Sequence, residues 1–183
     1  PFFMKYITII FALVFVGCSQ TNELIIKPSK PYGQILSDVE NQRVVFNLAY
    51  QESDPTKKKK VITDARQFMF NQLTLEIFPS WYGTKWDFNG VTETPKEGHI
   101  ACGYFVTTTL RDLGLKVPRI KWAQAASETM IIAATKDVKR FSSAKMDDVK
   151  SWIMSRPDAI YIVGLDNHTG FVYKKGEQLL FVH

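Results

Sequence analysis

Cysteine and histidine are scarce in this chain, with two of one and three of the other in 183 residues. A disulfide-stapled small domain needs cysteines in paired numbers, and a structural zinc module needs Cys and His clustered at short fixed spacings. Neither pattern occurs, so no metal and no cofactor is expected. Charge of one sign is also missing. Lys and Arg number 23 against 18 Asp and Glu, a formal net charge of +5. There is no arginine-rich face and no nucleic-acid motif, so nucleic acid is not expected as a partner. After Gly114 there is no internal repeat, low-complexity tract or second-domain boundary. The longest apolar run, Tyr6 to Val16, falls well short of the ~20 residues a membrane-spanning helix needs. What is present suffices for one ordinary globular core: 45% hydrophobic and 13% aromatic residues over a length typical of a single domain.

The short apolar run has a different reading. Met4-Lys5 gives a basic start, with Met4 the expected initiator, and the run ends in Phe15-Val16-Gly17-Cys18-Ser19. A small residue and then cysteine directly after an apolar core resembles the lipobox of bacterial lipoproteins, which implies a signal peptide over 1–18 and a lipid on Cys18 that attaches the protein to a membrane. Residues 19–33, polar with two prolines, read as a tether. Residues 34–183 then form a single domain. If Cys18 carries the lipid, Cys102 is left alone, without an intramolecular disulfide partner. A lone thiol in an exported protein is a candidate reactive group.

The first helix is read over Gln34 to Gln51, with Ile35, Leu36, Val39, Val44, Phe46 and Leu48 as an imperfect apolar face. A second begins at Asp54-Pro55, an N-cap followed by proline, carries Val61, Ala65, Phe68, Met69, Leu73 and Ile77, and is expected to end near Phe78-Pro79. Its first turns hold Lys57–Lys60, the chain's only charge run, which reads as a solvated face or as a contact for acidic polymer or lipid phosphate. Later helices are expected over Lys121 to Ala134 and over Ala144 to Ser155, the latter capped by Ser142 or Ser143 with Asp147 and Asp148 in its first turn.

Cys102 opens the most informative stretch. Val106, Leu110 and Leu113 follow it at steps of four, four and three, one face of a helix that Gly114 ends. A thiol at a helix start meets the positive end of the macrodipole and unpaired N–H groups, both favouring thiolate. A free cysteine in that position can equally be a small buried hydrophobe. Upstream, Tyr82, Trp86 and Phe88 in a turn-rich segment either plug the domain or wall a cleft beside the thiol.

A base comes from the C-terminal part. Ala159 to Leu165, HTGFVY from His168, and Gln178 to His183 read as three strands. A two-residue loop at Lys175-Gly176 sets Lys174 opposite Glu177, and hence His168 opposite His183 on one face. Two facing imidazoles suit a general base and the group that orients it, or merely share a polar sheet face. His99, three residues before Cys102, is the remaining candidate base, and otherwise reads as a loop or rim residue that would point past the thiol.

These pieces together resemble the NlpC family of papain-like cell-wall cysteine peptidases and amidases: Tyr82-Gly83, Cys102-Gly103-Tyr104-Phe105-Val106, Gly114 to Arg119, Gln124, His168-Thr169-Gly170-Phe171 and Phe181-Val182-His183, in order across 80–183. Ala101-Cys102-Gly103-Tyr104 departs from the family's usual Asp-Cys-Ser-Gly. The resemblance implies an α+β, papain-like fold in which N-terminal helices, with the nucleophile on a helix start, pack on an antiparallel sheet. It implies Cys102, His168 and His183 as catalytic residues, Tyr82, Trp86 and Gly103 in the oxyanion and substrate cleft, and peptidoglycan stem peptides as substrate. It further implies a place in the bacterial cell envelope, and a sheet that continues beyond His183. An inactive wall- or partner-binding lipoprotein and a papain-like acyltransferase are the alternatives.

Overall fold

The computed structural model describes residues 27–183, so the expected signal peptide and Cys18 lie outside the described residues. The described end of the tether is fixed to the fold: Ser29 donates from its backbone N–H and its hydroxyl to the Glu76 carboxylate at 2.8 and 2.6 Å. The first helix starts at Tyr32, inside the expected tether, because the Tyr32 hydroxyl is anchored. It donates to Asp112 at 2.6 Å and accepts from Trp81 Nε1 at 2.9 Å.

Helix α1 (Tyr32–Glu52) and helix α2 (Pro55–Gln72) form a hairpin, joined across by the Phe46 and Phe68 rings at 5.8 Å. Asp54 caps α2, accepting from the N–H groups of Thr56 and Lys57 at 2.9 Å. Proline does not stop this helix. A π-helical turn over Leu73–Ile77 leads into α3 (Phe78–Trp81), and the Phe78 N–H donates to the Leu73 carbonyl five residues back. Pro79 has no N–H to give and its ring crowds the carbonyl four residues earlier; the wider turn ahead of it keeps the helical path intact. Leu73, Ile77, Phe78 and Trp81 are thereby carried into the core.

Two short strands, β1 (Lys85–Trp86) and β2 (His99–Ile100), pair in parallel and lead to α4 (Cys102–Asp112). The expected stripe is buried at Val106, Leu110 and Leu113, and Gly114 has φ +87° just past the end. The helix expected over Lys121 to Ala134 is two helices, α5 (Arg119–Ala123) and α6 (Ser127–Ala134). Each has its own partner: α5 lies on α4, while the Ser127 hydroxyl on α6 donates to the Leu165 carbonyl beyond β3 (Ala159–Gly164). One straight helix cannot serve both. Helix α7 (Met146–Met154) starts later than expected and neither serine caps it; Lys145 is its N-cap, and Ser143 takes φ +55° in the turn before.

Strand β3, β4 (Thr169–Lys175) and β5 (Gln178–Val182) form an antiparallel sheet in sequence order. The β4–β5 loop is Gly176-Glu177 rather than Lys175-Gly176, so Lys175 pairs with Gln178. Glycine at the first loop position, with φ +56°, is what a type II′ turn requires. The fold is α+β, a small antiparallel sheet covered by helices. Its centre is a triangle of rings: Phe78 to Phe171 at 5.1 Å, Phe78 to Phe105 at 6.0 Å and Phe105 to Phe171 at 6.0 Å.

Candidate functional site

The corrected loop moves the register by two residues, an even number, so every side chain keeps its face. Phe171 now pairs with Val182, which sets His183 beside Gly170 and makes His168 its diagonal neighbour. A Cβ built on Gly170 would lie 2.9 Å from His183 Cβ, so nothing larger fits between the strands there. Through that gap His168 Nε2 reaches His183 Nδ1 at 3.0 Å, the rings nearly perpendicular with centroids 4.9 Å apart. Phe181 stacks on His183 at 4.7 Å. The two imidazoles come together as expected from the sequence, by a diagonal rather than a direct pairing.

Burial, and secondarily the His183 charge, hold the His168 imidazole below its ordinary pKa of 6.5. An imidazole that resists protonation when folded makes the folded state bind protons less than the unfolded chain. Its effect is absent well above pH 6.5, and stability falls as pH drops through 6.5 toward the lower folded value. By proton NMR, His168 is expected to titrate below 6.5 and to move partway back up in His183→Ala. A midpoint at or above 6.5 in the unaltered protein contradicts the assignment.

Cys102 is the first residue of α4, after the extended N-cap Ala101, whose side chain offers no hydrogen bond to the helix start. The first N–H groups of the helix therefore have no intrahelical or side-chain partner. The helix presents Phe105, one turn on, to Phe171 of β4, while the imidazoles share the other face of the hairpin with Gly170 and Phe181. Among the described residues no hydrogen bond joins the Cys102 thiol to either imidazole.

Gly103 is buried against α5, where a Cβ would stand 2.4 Å from the Ala123 carbonyl oxygen. Its side faces packing, which leaves its backbone N–H for any role in a cleft. Gly103→Ala is expected to destabilise the fold by about 1–3 kcal/mol, because a backbone carbonyl cannot move aside as a side chain can; a thermal melt within a degree of the parent contradicts this.

Trp86 pairs in register with Ile100, two residues before Cys102, and is 62% exposed. Tyr82 is exposed as well, and partial burial with Tyr173 nearby keeps its hydroxyl protonated above the ordinary range. Neither aromatic is a core plug. His99 lines a shallow cleft of about 420 Å³ with Asp87, Asn89 and Thr92, one that does not include Cys102. Comparison with protein-family models, curated proteins and solved structures finds no match for this chain.

The site's supporting cluster escaped the sequence reading. Arg119 donates through Nε to the Thr108 hydroxyl at 2.8 Å and through one terminal nitrogen to the carbonyls of Val91 and Thr92 at 2.8 and 3.0 Å. Its guanidinium lies 4.7 Å from the Tyr104 ring, and Gln124 donates to the Tyr104 hydroxyl at 3.1 Å. Tyr104, Arg119 and Gln124 stand in the sequence only as pieces of the family resemblance, with no contact among them expected.

Proposed function

We propose that this chain is an exported, lipid-anchored cysteine peptidase or amidase of papain-like type that hydrolyses amide bonds in peptidoglycan stem peptides. The observation that carries the reading is the His168–His183 contact at 3.0 Å, at the end of a sheet whose other face packs on the cysteine-bearing helix. With His168 Nε2 donating to His183 Nδ1, only Nδ1 of His168 is left to take a proton. That nitrogen accepts the thiol proton, and the Cys102 sulfur attacks the amide carbonyl carbon. The carbon–sulfur bond forms, the carbon–nitrogen bond breaks, and the proton on His168 passes to the leaving amine. Water, deprotonated by the same nitrogen, then cleaves the thioester to a carboxylic acid and the free thiol. The unpaired N–H groups at the α4 start, with the Tyr82 hydroxyl, supply donors for the oxyanion.

Mass spectrometry after rapid quench with disaccharide stem peptides tests this directly: an acyl adduct on the Cys102 peptide is expected, and none in His168→Ala. The missing thiol–imidazole hydrogen bond favours a second reading, a lipoprotein that only binds wall peptide. Saturable peptide binding without adduct or turnover selects it.

A further inference from the structure

The lysine run takes no part in that chemistry. Lys57–Lys60 occupy the first two turns of α2, where positive charge opposes the helix dipole, so helix stability does not account for them. Lys57 and Lys60 are 75% and 77% exposed, with Asp54 and Asp64 as ion-pair partners. Across the hairpin, Lys58 Nζ stands 5.0 Å from the centroid of the Tyr50 ring.

The same end of the hairpin exposes apolar side chains. Val44, Val45 and Leu48 are 51–54% exposed, joined by Tyr50 and Ile62. Core contact stops well before them: the buried residues of α1 are Ile35 and Val39, and α2 has none. At ~1.5 Å per residue, the closed end extends about 20 Å beyond Val39. A capped projection therefore carries a lysine cluster on α2 and large exposed apolar groups on α1.

We propose that the closed end of the α1–α2 hairpin docks on an anionic lipid bilayer, with Lys57–Lys60 against the headgroup phosphates and Val44, Val45, Leu48 and Tyr50 at the edge of the acyl region. A soluble polyanion satisfies the lysines but offers no apolar phase, whereas a membrane interface takes both. No described helix is long and apolar enough to cross a membrane.

The test uses the chain from Ser19, which retains all of the described fold and lacks the apolar run at 6–16. It is sedimented with vesicles of phosphatidylcholine alone, or with about 30 mol% phosphatidylglycerol. Expected is binding to the anionic vesicles only, weakened by salt because screened charges carry it. Replacing all four lysines by Gln should weaken it about a hundredfold, with an unchanged or raised melting temperature since the adverse dipole contacts are gone. Val44→Ser with Leu48→Ser should weaken vesicle binding about tenfold while leaving heparin binding untouched. The proposal is overturned by no binding, by equal binding to neutral vesicles, by full binding in the glutamine variant, or by vesicle binding indifferent to the two serine changes, which marks an acidic polymer as the partner. The salt titration on unaltered protein decides if the glutamine variant does not fold.

Discussion

His168→Ala is expected to lower turnover of a stem-peptide amide about 10³-fold, within the range typical of a lost general base. Iodoacetamide labelling of Cys102 at neutral pH is expected to slow in parallel, because in the proposed mechanism the same nitrogen takes the thiol proton. His183→Ala should do less, about 10²-fold, since in the proposed mechanism it removes only the group that orients His168 and leaves the base in place. The order of the two losses matters more than their size. If His183 mattered more than His168, the base and its orienter would be exchanged; if neither altered labelling, the pair would be a surface contact and the wall-binding reading would stand. Circular dichroism controls for folding, and both histidines lie at strand ends on the face away from the Phe78, Phe105 and Phe171 triangle.

What the sequence made legible follows from period. The α4 stripe of Val106, Leu110 and Leu113 and the three strands each repeat their signal several times, so one exception does not erase it. The histidine pair is instructive because its register was misread by two residues and the contact survived: strand faces alternate with period two, so parity carried the prediction where the loop position failed. Glycine fits either loop position of a primed turn, and only the backbone torsion separates them.

The features that were not legible depend on partners distant in sequence. The π-helical turn is a response to Pro79 within a helix whose Leu73, Ile77 and Phe78 the core demands; a proline alone reads as a stop. The split between α5 and α6 reflects separate docking on α4 and β3. Ser29 finds Glu76, and Tyr32 finds Trp81 and Asp112, so a segment with tether composition is held by side chains up to 80 residues away. The α4 threonines likewise carry no apolar signal, yet Thr107, Thr108 and Thr109 are fully buried, with Thr107 and Thr109 donating to carbonyls one turn back and Thr108 accepting from Arg119.

Arg119→Ala should be the most destabilising single change among the polar residues, at about 3–5 kcal/mol. The side chain is only 10% exposed, and deleting it strips the Thr108 hydroxyl and the Val91 and Thr92 carbonyls of their donor. It also leaves Glu93 with Arg111 as its remaining cationic partner. Against a total stability of ~5–15 kcal/mol for a single domain, such a loss shifts the urea midpoint by more than a molar unit at ordinary slopes of about 1–3 kcal/mol per molar. Arg119→Lys keeps the charge but not the fork that spans three acceptors, and is expected to recover less than half. The consequence reaches the thiol. Thr92 donates to the His99 carbonyl at 3.0 Å and Ala101 to the Gly90 carbonyl at 2.9 Å, so the Gly90–Thr92 segment that Arg119 grips is what lines up β2 and the first residue of α4. In Arg119→Lys, which should still fold, Cys102 labelling and turnover are expected to fall with the loop's order, and a lysine variant with parental activity would restrict Arg119 to holding the fold together.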